Sequence, residues 1–313
     1  MAFARHGAYG CKCAPTASTP SRNLVVCIDG TCNRPGTKNT NILELCSQIV
    51  KSEDQPIFYT TGLGVSAHIP GYYSPSRQIS NGIDILFGRH LEKGIMLAYH
   101  WLCTTYRDGD KIFFFGYSRG AYQVRALAGM IGRIGLLPPN NDHLIPFRFS
   151  RSQATAGQSA KIRAAEAFKK AFFRDVRIHF VGVWDTVSSI GVRRRKTLPL
   201  TTSSCDHICY FRHALALDER RVKFLPEYVY GGRTDSADNG HIKEVWFAGS
   251  HSDMLSGEIP LMWMRGEASL VGLQLEPPVV MWKIDDLDKP ITSPLPWWWV
   301  LEVFPFERLR YNN

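Results

Sequence analysis

The sequence contains no run of about 18 consecutive apolar residues, the length a membrane-crossing helix needs, so no transmembrane helix is expected. Its opening, MAFARHGAYGCKCAPTASTP, lacks the continuous apolar core of a secretory signal, which makes a reduced, cytoplasmic setting the expectation. No internal repeat is visible. The eight cysteines lack the spacing of a disulfide framework. Cys27, Cys46 and Cys103 fall in hydrophobic stretches and read as small buried apolar residues. CKC, at Cys11 and Cys13, lies in a tail of Gly, Ala, Ser and Pro. CDHIC, Cys205 to Cys209, encloses a histidine but is followed by no second ligand pair at zinc spacing, so neither a metal nor a cofactor is expected. Acidic residues are in deficit, 28 against 37 Lys and Arg, for a net charge of +9. That balance favours acidic partners such as anionic lipid head groups. No nucleic-acid reading motif accompanies the charge, so no specific nucleic-acid partner is expected. The one dense basic run, RRRK at Arg193 to Lys196, reads as an exposed loop.

What is present is an alternation of short apolar runs and helical stretches. Residues 1–22 read as a disordered arm, 23–313 as one catalytic domain, and 276–313 as its Trp-rich extension. NLVVCIDG is a buried strand ending in a turn, and Asn39 or Thr40 caps a helix after it. QPIFYTTG is a second strand. Ile79 to Tyr106 reads as one or two helices interrupted by Gly88 and Gly94. DKIFFFG is a third strand, followed directly by the helix RGAYQVRALAGMIGRIG. Ala160 to Phe173 reads as a helix, RIHFVGVWD as a fourth strand, and HICYFRHALALDE as helical. GGRTDSADNGH reads as a polar loop, EVWFAGSHSD holds a fifth strand, and IPLMWMRGEASLVGL is a final helix. This alternation predicts an α/β fold, α/β-hydrolase-like, with a mainly parallel sheet and helices on both faces. Such sheets bind ligands beyond the carboxyl ends of their strands.

The motif GYSRG, Gly116 to Gly120, sits between the third strand and its helix. A G-x-S-x-G at a strand-to-helix bend holds its serine in strained backbone and lifts the side chain clear of the sheet. The plain alternative is a tight helix start with Ser118 as a cap. Gly116 and Gly120 are needed because a side chain at either would strike the neighbouring strand or helix. A serine hydroxyl needs a base, and the base needs an acid to orient it. In this architecture the chain order is Ser, acid, His. Asp185 ends the fourth strand and His251 follows the fifth, which makes Ser118, Asp185 and His251 the candidate catalytic set. Asp253 is a rival acid, better suited to supporting the His251 loop, and His213 reads as a packing histidine on a helix. The amide of Arg119 and an amide of Gly30 or Thr31, after the first strand, are candidate oxyanion donors. Asp29, in the same turn, supports the site.

CIDGTCN, FFGYSRGAYQVRALAG, FVGVWDTVSSIG, FRHALALDERR and WFAGSHSDM, taken together, resemble the type VI secretion phospholipase effector-like catalytic domain family over roughly Asn23 to Leu275. The closing PLPWWWVLEVFPFERLRY resembles its fungal branch. The resemblance implies an α/β-hydrolase fold and hydrolysis of phospholipid esters without a cofactor, and it carries the nucleophile to Ser118, the acid to Asp185 and the base to His251. Its Asp-Gly-Thr segment falls on Asp29, Gly30 and Thr31. Two departures are visible: Cys32 replaces the family's tryptophan, and HSDMLSGE replaces its glycine-rich stretch after the histidine. The implied substrate is a lipid or other small ester. Trp297, Trp298 and Trp299 either anchor at an anionic membrane surface or pack back on the core. The competing reading from another class is a non-catalytic module of the same fold that binds membranes or a protein.

Overall fold

The computed structural model describes residues 11, 13, 21–30, 39–61, 89–139, 141, 173–187, 205–219, 221, 226–232 and 241–278. Six strands form one sheet in the order β2-β1-β3-β4-β5-β6. They are β1 (Asn23–Ile28), β2 (Ile57–Thr60), β3 (Lys111–Tyr117), β4 (Ile178–Trp184), β5 (Ile208–Ala216) and β6 (Ile242–Phe247). Every pairing is parallel. Among the described residues, five α-helices accompany them: α1 (Asn41–Gln48), α2 (Arg89–Thr105), α3 (Arg119–Ile134), α4 (Asp253–Ser256) and α5 (Glu258–Leu270).

The period-two alternation of β1 shows how the sheet is covered. Leu24, Val26 and Ile28 join Ile95, Tyr99 and Leu102 of α2 and Val124, Leu127 and Ile131 of α3 in one buried cluster. Val25 and Cys27 face the other way, with Ile42 and Leu45 of α1 and Met264 and Ala268 of α5. Helices therefore cover both faces, and this is the α/β fold expected for a parallel sheet. Thr40 caps α1, its hydroxyl accepting from the Leu43 amide at 3.0 Å. The chain runs from β1 outward to β2, then returns to β3 on the opposite side of β1. The strand order reverses there, and the crevice beyond the carboxyl ends of β1 and β3 is where such sheets hold ligands.

Two readings change. HICYFRHALALDE is not helical: Ile208–Ala216 is the strand β5, paired between β4 and β6. Arg212 and His213 break the apolar run in sequence, but both are buried and supplied from neighbouring elements. Arg212 Nε donates to Glu267 of α5 at 2.5 Å, and His213 bonds Glu244 of β6 at 2.9 Å. Tertiary partners override the helix propensity of Ala and Leu here. Gly94 does not interrupt its helix either; it lies inside α2, where a Cβ would meet the Gln123 side chain of α3. Of the arm expected at 1–22, Cys11, Cys13, Ser21 and Arg22 are described, and Arg22 pairs with Asp110 at 2.6 Å. The readings at Gly88, Ala160 to Phe172, Arg193 to Lys196, 233–240 and beyond 278 lie outside the described residues. Among the described residues, no helix is long and apolar enough to cross a membrane.

His207 sits just before β5, its ring packed against Gly132 and its Nε2 buried with no hydrogen-bond partner among the described residues. Burial pushes its pKa down from 6.5 to about 4, and the nearby Arg177 adds to this against the opposing pull of Asp206. A depressed folded pKa gives stability that is complete above the unfolded value and is lost as pH falls toward the folded one. The melting temperature therefore falls between about pH 6.5 and 4, and His207→Gln makes that fall shallower. Identical slopes for parent and variant would contradict the assignment.

Candidate active site

β3 is buried from Ile112 onward and ends at Tyr117, and α3 begins at Arg119, so a single residue must make the whole bend. Ser118 makes it with φ 56 and ψ −119. Only Ser118, Asp185 and Tyr230 among the described non-glycine residues have positive φ. Two of these stand at the carboxyl tips of the adjacent strands β3 and β4. Such strain persists where the surroundings over-determine it. Here the Ser118 amide donates to Trp184 O at 3.0 Å, and the Asp185 amide donates to Ala214 O at 2.8 Å, which ties the tips of β3, β4 and β5 together.

The flanking glycines answer to close approach. A Cβ on Gly120 would lie 2.2 Å from Ile28 O, and one on Gly116 would lie 2.7 Å from the Ala121 backbone. The first holds α3 against the end of β1; the second lets the helix start directly over β3. Ser118 stands at the N-cap position of α3, but its side chain makes no capping bond there.

Its hydroxyl instead reaches His251. Ser118 Oγ lies 2.8 Å from His251 Nε2, and His251 Nδ1 lies 2.5 Å from Asp185 Oδ2. Residues 66 and 133 positions apart in sequence thus meet at one rim of the sheet, all buried: Ser118 is 7% exposed, His251 6% and Asp185 1%. The carboxylate accepts only, so Nδ1 carries the proton in that bond, and neutral Nε2 is left as the acceptor facing the hydroxyl. The second carboxylate oxygen accepts from the Ala216 amide at 3.3 Å, fixing the acid in place. This is the arrangement in which an imidazole can take a serine proton while an acid stabilises the cation.

The loop carrying His251 is held from several sides. Tyr117 donates its hydroxyl to His251 O at 2.8 Å and stacks on the imidazole with centroids 5.0 Å apart. Glu219 accepts from the His251 amide at 3.1 Å and pairs with Arg221 at 2.8 Å. Burial works to raise the Glu219 pKa, but hydrogen bonds from Arg221 and His251 prevail and hold it below the usual carboxylate range. Asp218 accepts from the Gly249 amide at 2.8 Å. Asp253 accepts from the Ser250 amide and hydroxyl at 2.7 and 2.9 Å. His213 is a satisfied packing residue, though on a strand: Nε2 accepts from the Thr186 amide at 3.1 Å.

The turn after β1 departs from expectation. Gly30 donates its amide to Asp29 Oδ1 at 2.7 Å, so that amide points into a carboxylate and not toward the serine. The other oxygen of Asp29 accepts from Thr40 at 2.6 Å and Tyr59 at 3.1 Å, so Asp29 braces the turn. Thr31 and Cys32 lie outside the described residues. Arg119 opens α3, with its amide at the positive end of the helix. Tyr117, Asp218, Glu219 and Arg221 are the supports that sequence reasoning misses. Reading HICYFRHALALDE as a helix hides Asp218 and Glu219, whereas a strand ending at Ala216 puts LDERR at its carboxyl tip, beside the site.

A Gly120→Ala substitution is expected to destabilise the fold by about 1–3 kcal/mol, because the new methyl meets rigid backbone and not a movable side chain. Denaturant unfolding measures it, and an unchanged midpoint would show that α3 is not held at this distance.

Comparison with known proteins places the chain. A family model described as "T6SS, Phospholipase effector Tle1-like, catalytic domain" matches residues 22–267. The uncharacterized protein YEL023C of Saccharomyces cerevisiae is 35% identical over 224 residues, which covers 66% of this chain and 32% of that protein. Solved structures similar to the chain include two that are described next. One is an uncharacterized protein from Pseudomonas aeruginosa, with TM-score 0.49 and 16% identity, covering 85% of this chain and 48% of that one. The other is the Tle1 effector bound to the VgrG spike of the type 6 secretion system, with TM-score 0.38 and 17% identity, covering 75% and 52%. The chain thus spans about a third of its yeast relative and about half of each solved structure. With its motifs lying inside a match that runs through most of its length, the chain belongs to the Tle1-like phospholipase effector catalytic-domain family.

Proposed function

We propose that the chain is a serine hydrolase that cleaves carboxylic esters of lipids, phospholipid acyl esters above all. The observation that carries this reading is the His251 imidazole bridging Ser118 Oγ at 2.8 Å and Asp185 Oδ2 at 2.5 Å. Ser118 Oγ attacks the ester carbonyl carbon as its proton passes to His251 Nε2, and the carbonyl π electrons move onto oxygen. Collapse of that tetrahedral species breaks the bond to the leaving alcohol, which takes the proton from His251. Water repeats the sequence on the acyl-serine and releases the fatty acid. Asp185 holds the imidazole in the tautomer that accepts the proton and stabilises the cation that results.

The Arg119 amide is the first oxyanion donor in this scheme, and the positive end of α3 adds to it. The Gly30 amide is taken up by Asp29, and Thr31, the other candidate for the second donor, lies outside the described residues. Each such donor contributes about 3 kcal/mol to the transition state in comparable enzymes. The lipid assignment draws on membership of a family described as phospholipase effectors and on a net charge of +9, which attracts anionic head groups.

Fatty-acid release from phosphatidylglycerol vesicles, followed by mass spectrometry, tests this. Ser118→Ala and Asp185→Asn are expected to lower the rate by on the order of 1,000-fold or more while both proteins stay folded. Release by Ser118→Ala at the parent rate would end the serine-hydrolase reading. Raising the salt concentration is expected to slow the parent on these vesicles and leave hydrolysis of a soluble p-nitrophenyl ester unchanged. Equal salt sensitivity on both substrates would remove the role assigned to surface charge.

A further inference from the structure

At the opposite end of the strands from Ser118, four ligating side chains converge. Cys11, Cys13, His179 and Cys209 bring three sulfurs and one imidazole nitrogen within 4.8 Å of one another. Cys13 Sγ lies 2.9 Å and Cys11 Sγ 3.2 Å from His179 Nδ1, and the two sulfurs are 2.6 Å apart. All three cysteines are free thiols. His179 and Cys209 are adjacent on β4 and β5, since Ile178 pairs with Ile208 and Phe180 with Tyr210 on either side of them. Each is 3% exposed.

We propose that these four side chains bind a structural zinc ion, which ties Cys11 and Cys13 to the amino ends of β4 and β5. The histidine is prepared for it. His179 Nε2 lies 2.8 Å from Val271 O, and a carbonyl only accepts, so Nε2 carries the proton and Nδ1 presents its lone pair to the thiols. Phe113 and Tyr210 pack edge-on against the ring at 5.0 and 5.5 Å and hold that orientation.

Three thiolates and one imidazole make a closed tetrahedral donor set, the kind that selects zinc for structure and leaves no open position for a substrate. Donors about 2.3 Å from a common centre sit about 3.8 Å apart at tetrahedral angles. The observed cluster reaches this through shifts of about 1 Å, which side-chain rotation supplies. The Cys11 and Cys13 sulfurs move apart from 2.6 Å, both draw back from His179 Nδ1 at 3.2 and 2.9 Å, and the widest spacing closes from within 4.8 Å. His179 precedes Asp185 by six strand positions, about 20 Å at roughly 3.3 Å per residue. The ion therefore takes no part in chemistry at Ser118. In sequence, CKC and CDHIC are each too small to be a site. The fold takes one ligand from the second motif and leaves Cys205 and His207 out of the cluster.

The test uses the full chain, purified under reducing conditions without chelator, then incubated with zinc and desalted. Elemental mass spectrometry is expected to find zinc equimolar with protein. Cys13→Ser and Cys209→Ser are each expected to retain at least tenfold less, while Cys46→Ser, outside the cluster, keeps the full amount. Cobalt(II) added to the metal-free parent is expected to give thiolate charge-transfer absorption and the strong visible bands of tetrahedral coordination. Less than half an equivalent of zinc in the parent, or zinc unchanged in Cys13→Ser, would overturn the proposal. Cys13 lies outside the sheet, so that variant, with its fold checked by circular dichroism, decides the matter even where Cys209→Ser fails to fold.

Discussion

A buried strand that must become a helix within one residue constrains everything at the rim of the sheet where Ser118 meets His251. Ser118 resolves that demand with a positive φ, which an L-residue adopts only under compulsion. The compulsion comes from packing. Gly120 lets α3 press against the carbonyls that end β1, and Gly116 clears the start of the helix. With α3 held there, the serine side chain has neither a cap to make nor a core to enter, and it is left at the crevice where the strand order reverses.

The imidazole that meets it has no strand of its own, so its loop is tied down by other means. Tyr117, next to the serine in sequence, holds the His251 carbonyl and stacks on its ring, so one bend positions both the hydroxyl and the imidazole. The end of β5 supplies Asp218 and Glu219, which accept backbone amides from the same loop. Arg221 keeps Glu219 charged against the penalty of burial. Asp185, strained in its turn, is fixed through Ala216 of β5. The strand whose sequence reads as a helix is thus the one that sets both the acid and the histidine loop in place.

That strand marks where sequence stops being legible. β1, β3 and β4 are apolar runs closed by turn residues, so local pattern suffices to find them, and Ser118 and Asp185 can be read from the tips of β3 and β4, with His251 after β6. β5 carries Arg212 and His213 inside the sheet, and only Glu267 and Glu244, from elements later in the chain, make that burial tolerable. Periodicity carries no trace of such partners. The same holds for Gly30, whose amide reads as an oxyanion donor until the Asp29 carboxylate is seen to take it. Gly94 reads as an interruption until Gln123 occupies the space a side chain would need. In the cluster of Cys11, Cys13, His179 and Cys209, strand register sets His179 beside Cys209, which is invisible to spacing rules that look for ligand pairs close together in the chain.

The most direct test of the central claim is a chemical one, made on the intact protein. A fluorophosphonate reacts with a serine whose proton is being drawn off by a base and not with an ordinary one. Peptide mapping after brief exposure is expected to place a single stoichiometric adduct on Ser118 and to find none in His251→Ala. An unlabelled Ser118 in folded parent protein, or equal labelling without the histidine, would contradict the account.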